Sequence, residues 1–97
     1  MPLYKNSKAD VYYGDDEANF GEPCEVKIEG ASIVLSYKDD DTTVVYEGTE
    51  VGSGHFTLQA PSVNGKATLH KVPNESVLEG WWAEDDYEGM WRIELKE

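Results

Sequence analysis

Turn-forming residues punctuate this chain so densely that little room is left between them for a helix of ordinary length. Gly, Pro, Asp and Asn recur every few positions, and the short runs between them are rich in Val, Ile, Thr, Tyr, Phe and Trp. That is the signature of strands and tight turns. No window sustains apolar residues at i, i+3, i+4 and i+7, the spacing that gives a helix one buried face. Only Asp15–Phe20 reads as a helical turn, with its acids at the N-terminal end where the helix dipole favours them. The expected strands are Ala9–Tyr13, Cys24–Glu29, Ser32–Lys38, Thr43–Gly52, His55–Ala60, Lys66–Val72, Val77–Ala83 and Gly89–Lys96, eight in all. The fold class is therefore all-β. The expected architecture is an antiparallel meander closed, or nearly closed, into a small barrel, and a two-sheet β-sandwich is the alternative that shares the same hairpins.

The hairpin registers can be tested against the side-chain pattern, because a slip of one residue would flip every side chain of a strand to the other face. A turn at Gly30-Ala31 sets Ile28 opposite Ile33, Val26 opposite Leu35 and Cys24 opposite Tyr37. The acidic loop Asp39–Thr42 sets Tyr37 opposite Val44 and Leu35 opposite Tyr46. The Ser53-Gly54 turn sets Val51 opposite Phe56. The loop Pro61–Asn64 sets Phe56 opposite Leu69 and Leu58 opposite Ala67, and Pro73–Ser76 sets Lys71 opposite Leu78 and Leu69 opposite Gly80. In the fourth strand, Val44 and Tyr46 share a parity that Val51 does not. One extra residue must be absorbed, and a β-bulge or kink is expected at Gly48-Thr49.

The sequence Glu-Gly-x-Trp occurs twice, nine residues apart, as Glu79-Gly80-Trp81-Trp82 and Glu88-Gly89-Met90-Trp91. A turn at Asp85-Asp86 sets Gly80 opposite Trp91 and Trp82 opposite Gly89. Each indole then lies over a residue without a side chain, a reciprocal form of aromatic rescue of strand glycine. Trp82, Trp91, Ile93 and Leu78 share the inward face and anchor the core. Trp81 has the outward parity, and with Tyr87 and Met90 it forms a candidate contact patch of the kind that interfaces favour.

At 97 residues the chain is expected to form one domain, 1–97. Its single cysteine, Cys24, excludes an intramolecular disulfide, which favours a reducing compartment. No apolar run is long enough to span a bilayer, and the first residues lack the apolar stretch of a signal peptide, so a cytoplasmic address is expected. The net charge is −12, from 20 acidic and 8 basic residues. Such a surface repels nucleic-acid phosphates and anionic membranes. It suits solubility or a basic protein partner.

Few residues offer chemistry. His55 and His70 are expected opposite each other on the solvent face, where two imidazoles are weak candidates for a metal pair, with Glu47 or Glu50 as a more distant third ligand. Cys24 points inward and reads as an inert buried thiol. Three acidic runs, Asp15-Asp16-Glu17, Asp39-Asp40-Asp41 and Glu84-Asp85-Asp86, sit at turns, where Asp bonds nearby backbone N–H groups. They lack the spacing of an EF-hand calcium loop. Gly52-Ser53-Gly54 is a hairpin turn rather than a phosphate loop, since a strand follows it. No catalytic constellation and no cofactor motif emerges.

The run of short antiparallel strands with its Gly-x-Trp elements resembles the small up-and-down barrels of the avidin-like and lipocalin-like kind. The resemblance is one of architecture. The lipocalin Gly-x-Trp comes early in its chain, whereas Gly80-x-Trp82 and Gly89-x-Trp91 come late here, so no ligand and no site residue is carried over. Three functions follow as expectations. The first is a non-enzymatic interaction module whose acidic, partly aromatic surface binds a basic partner or a second copy. The second is a carrier of a small apolar ligand, with a cavity bounded by Trp82, Trp91, Tyr46 and Phe56. The third is a small enzyme or metal-binding protein that uses the His55/His70 face.

Overall fold

The computed structural model describes residues 3–97 as eight antiparallel strands met in sequence order. They are β1 (Leu3–Tyr13), β2 (Ala18–Glu29), β3 (Ser32–Asp39), β4 (Thr42–Gly52), β5 (His55–Ala60), β6 (Gly65–Lys71), β7 (Val77–Glu84) and β8 (Tyr87–Glu94). A single turn of 3-10 helix, Pro61–Val63, joins β5 to β6. The ladder from Lys8↔Glu94 to Tyr13↔Gly89 pairs β8 back onto β1, so the sheet is a closed barrel rather than a sandwich.

Apolar residues of the inward parity form its core. Val26, Ile33, Leu35, Val44, Tyr46, Leu58, Leu69, Leu78 and Ile93 are essentially inaccessible to solvent. The expected registers Ile28↔Ile33, Val26↔Leu35, Leu35↔Tyr46, Tyr37↔Val44, Phe56↔Leu69, Leu58↔Ala67, Lys71↔Leu78, Gly80↔Trp91 and Trp82↔Gly89 are all present.

The bulge falls elsewhere. Gly48 pairs regularly with Ile33 on one side and Leu58 on the other, and the irregularity lies between Glu50 and Gly52. Phe56 therefore faces Glu50, and Val51, 63 % exposed, is the residue left outside the ladder. Gly48 has a different task. A Cβ there would overlap the carbonyl of Thr57, one on Gly80 that of Thr68, and one on Gly89 that of Tyr12. These three glycines let neighbouring strands approach closely where the sheet coils shut, a device small barrels need for closure.

Two further expectations are corrected at the start of the chain. Asp15–Phe20 is not helical. Tyr13 N–H donates to the Glu17 carbonyl (2.8 Å), Asp16 takes a left-handed φ of 70°, and Ala18 begins β2. The chain is thus turned straight back onto β1. Strand β1 also begins at Leu3, well before Ala9. The Lys5–Lys8 stretch lacks apolar alternation, yet closure gives it partners. Asn6 N–H donates to the Lys96 carbonyl (2.9 Å), and the buried Ser7 hydroxyl donates to the Tyr4 carbonyl and accepts Lys96 N–H.

Candidate functional site

A meander barrel sorts its turns by end. The β1–β2, β3–β4, β5–β6 and β7–β8 connections share one end, and the other three share the opposite end with the chain termini. All three acidic runs consequently gather at the first end, although they are far apart in sequence. Each connection there holds one left-handed residue: Asp16 (φ 70°), Asp40 (56°), Asn64 (51°) and Asp85 (51°). Asp and Asn tolerate that conformation better than most residues. Turn geometry explains one acid per run and leaves the others as charge around the rim.

At this acidic end two neighbouring strand pairs part. The β2–β3 ladder stops at Glu25↔Ser36 rather than continuing to the expected Cys24–Tyr37 pair. Pro23, just beyond, has no N–H to give a ladder. The β4–β5 ladder stops at Glu47↔Gln59, and here the Pro61–Val63 turn packs over β4. The parted β2–β3 seam stays open and runs into a cavity of about 1030 Å³. That volume lies just above the ~300–1,000 Å³ usual for small-molecule sites. The opposite end is filled by side chains such as Phe56, Leu69, Leu78 and Ile93.

The apolar part of the lining is Tyr13, Tyr37, Trp82 and Trp91, with Val11, Leu35 and Val63, and polar and charged side chains make up the rest. Tyr13 meets Trp82 edge to face, with ring centroids 5.2 Å apart, and Tyr46 meets Trp91 at 5.4 Å from beneath. Both buried indoles are tied by hydrogen bonds. Trp82 Nε1–H donates to the Met90 carbonyl (3.2 Å) and Trp91 Nε1–H to that of Thr68 (3.3 Å).

One carboxylate enters this wall. Glu84 continues the inward row of Gly80 and Trp82 along β7, and Tyr37 Oη–H (2.7 Å) and Tyr46 Oη–H (2.5 Å) both donate to its Oε2. Room for the Tyr46 ring comes from Gly65, the cross-strand neighbour of Glu84, where a Cβ would crowd the phenol. Burial, and then the hydrogen bond and charge of Glu84, push both phenols above the ordinary tyrosine range, because ionisation would set a second negative charge against the carboxylate. Burial likewise raises the Cys24 thiol to about 11, despite the opposing pull of Lys8. Cys24 therefore lines the cavity as a thiol.

Of the residues singled out from sequence, Trp82, Trp91 and Tyr46 come together around this cavity, while Phe56 belongs to the filled end. The expected patch divides. Trp81 pairs with Met90 on the outer surface, whereas Tyr87 stands at the cavity mouth on the inward parity. The outer row extends where sequence reasoning did not look: Met90 pairs with Tyr12, and Tyr12 meets Phe20 edge to face at 5.7 Å. His55 and His70 do pair, with their Nδ1 atoms 2.5 Å apart on the outer face, but no group of three or more metal-ligating side chains occurs among the described residues. Glu50 is instead occupied by Gly54 N–H (2.9 Å). The residues missed were Glu84, Tyr37 and Tyr13. Parity offered a signal for each, but Glu84 belongs to an acidic run that reads as a solvated turn.

Among the described residues, no helix is long and apolar enough to cross a membrane. Comparison with family models, with curated proteins and with solved structures found no match for this chain.

Proposed function

We propose that this chain is a non-enzymatic binding barrel that takes one small, largely apolar molecule into the cavity at its acidic end. The observation that carries the reading is the contrast between the two ends: one is packed with its own side chains, and the other opens through the β2–β3 seam into an aromatic-walled cavity. Concave, mostly apolar sites with a few placed polar groups are the usual form of small-molecule sites. Binding at such a site needs no catalytic group. The test is titration with the neutral apolar fluorophore N-phenyl-1-naphthylamine. Saturable one-to-one enhancement is expected, and Val11→Trp, which places an indole in the cavity, should abolish it while leaving the β-sheet circular dichroism unchanged. Absence of saturable enhancement in the unaltered protein would exclude the reading.

A second reading rests on the outer surface. The row Trp81, Met90, Tyr12 and Phe20 crosses from β7 to β2 and is exposed along its length, from 37 % at Trp81 to 68 % at Phe20. We propose it as the contact face if the barrel binds a protein, either a basic partner drawn by its charge or a second copy. Trp81→Ser with Met90→Ser should then weaken association measured by sedimentation and leave fluorophore binding intact.

A further inference from the structure

Resting on the cavity reading, we infer that the ligand is a small organic cation: an aromatic or aliphatic molecule bearing a protonated or quaternary amine. The inference is drawn from the partners of Glu84. Its Oε2 holds two phenol O–H groups, while among the described residues no donor reaches Oε1 and no Lys or Arg lies within ion-pairing distance. Glu84 is half-buried, and the carboxylate held at the cavity wall by two phenols keeps one oxygen free to meet an opposite charge. Among the described residues no ion pair supplies that charge, and a cation in the cavity would.

The walls favour the same class. Tyr13, Tyr37, Trp82 and Trp91 line the cavity, and aromatic rings attract ammonium groups, most strongly when both are removed from water. The other charged groups along the opening are Lys5, Glu22, Glu25, Lys38, Asp39 and Asp85, four carboxylates against two ammonium groups. The three acidic runs at this end add a longer-range field that raises the local concentration of cations and repels anions. An amine placed at Glu84 Oε1 would leave its apolar portion to the aromatic side chains that line the same cavity.

Three probes on one skeleton decide the point: 1-naphthylmethylamine, 1-naphthalenemethanol and 1-naphthoate, titrated calorimetrically at neutral pH and low salt. The amine should bind at least about tenfold tighter than the alcohol, and the naphthoate weakest of the three. Salt should weaken the amine and spare the alcohol. Glu84→Gln keeps an acceptor for both phenols. It should reduce amine affinity about tenfold and change alcohol affinity less than about twofold. Equal binding of amine and alcohol by the unaltered protein, or equal weakening of both by Glu84→Gln, would overturn the cation assignment while leaving the cavity reading intact. If none of the three binds, the cavity reading fails and the cation assignment with it.

Discussion

Trp91 stands directly across from Gly80, and its indole N–H donates to the Thr68 carbonyl, the same oxygen that any side chain on Gly80 would strike. Trp82 and Gly89 repeat the pairing two residues further along the same ladder, with Tyr12 supplying the threatened carbonyl. Packing and closure thus depend on the same four residues. Trp91→Ala and Trp82→Ala should each cost about 3–5 kcal/mol in urea denaturation, as large aromatic truncations do. Gly80→Ala and Gly89→Ala should also destabilise, since backbone rather than a movable side chain stands in the way. A neutral result at either glycine would mean that the strands can part there.

Glu84 binds two phenols, so their removal should not be additive. Tyr37→Phe or Tyr46→Phe alone should cost about 1.5–2 kcal/mol, the lower part of the range for hydrogen bonds to a charged group, because Glu84 is only half-buried. The double variant leaves the carboxylate without a donor and should cost more than the sum of the two. Chemical denaturation of the four proteins of the cycle measures the coupling, and strict additivity would show that the phenols do not share the carboxylate.

Alkaline pH should weaken the fold through named groups. The Cys24 thiol is raised from 9.0 to about 11 in the folded state. A raised folded value means that stability is fully present below about pH 9 and is lost as pH climbs towards 11, because the unfolded chain releases that proton first. Tyr37 and Tyr46 are raised in the same direction and extend the loss above about pH 10. Cys24→Ala should flatten the decline between about pH 9 and 11, read from denaturation midpoints across the series. Below pH 9 the native thiol should react slowly with a disulfide reagent and rapidly once denaturant is added.

The exposed Trp81–Met90 pair makes little of the core, so Trp81→Ser and Met90→Ser should each change stability by less than about 1 kcal/mol. Thermal melting would check this. A large loss at Trp81 would show that its ring carries more than surface packing, since the hydrogen bond from its backbone N–H to the Thr68 hydroxyl (3.3 Å) survives the substitution.

Most of the fold was legible because alternation and turn residues agree. Val26, Leu35 and Tyr46 can face one another in only one register, and the two Gly-x-Trp segments make their reciprocal pairing without help from distant chain. What escaped depends on closure. Lys5–Lys8 has no pattern of its own and becomes strand because β2 lies on one side and the end of β8, with the residues that follow it, on the other. The extra residue of β4 lies at Val51 because Gly48 is needed in the ladder, where it admits the β5 backbone. Only half of the cavity could be read. Trp82, Trp91 and Tyr46 were evident as inward residues. The opening, however, arises where Pro23 ends a ladder, and Glu84 joins the cavity wall because Tyr37 and Tyr46 reach it from strands far away in sequence.

The indole N–H resonances offer the most direct test of the binding site. Trp82 and Trp91 line the cavity, and Trp81 lies outside. In 1H–15N correlation spectra recorded while N-phenyl-1-naphthylamine is added, the Trp82 and Trp91 indole signals should shift together and saturate at one equivalent, with Trp81 unmoved. Movement of Trp81 alone, or no movement of any indole at saturating probe, would contradict a ligand site inside the barrel.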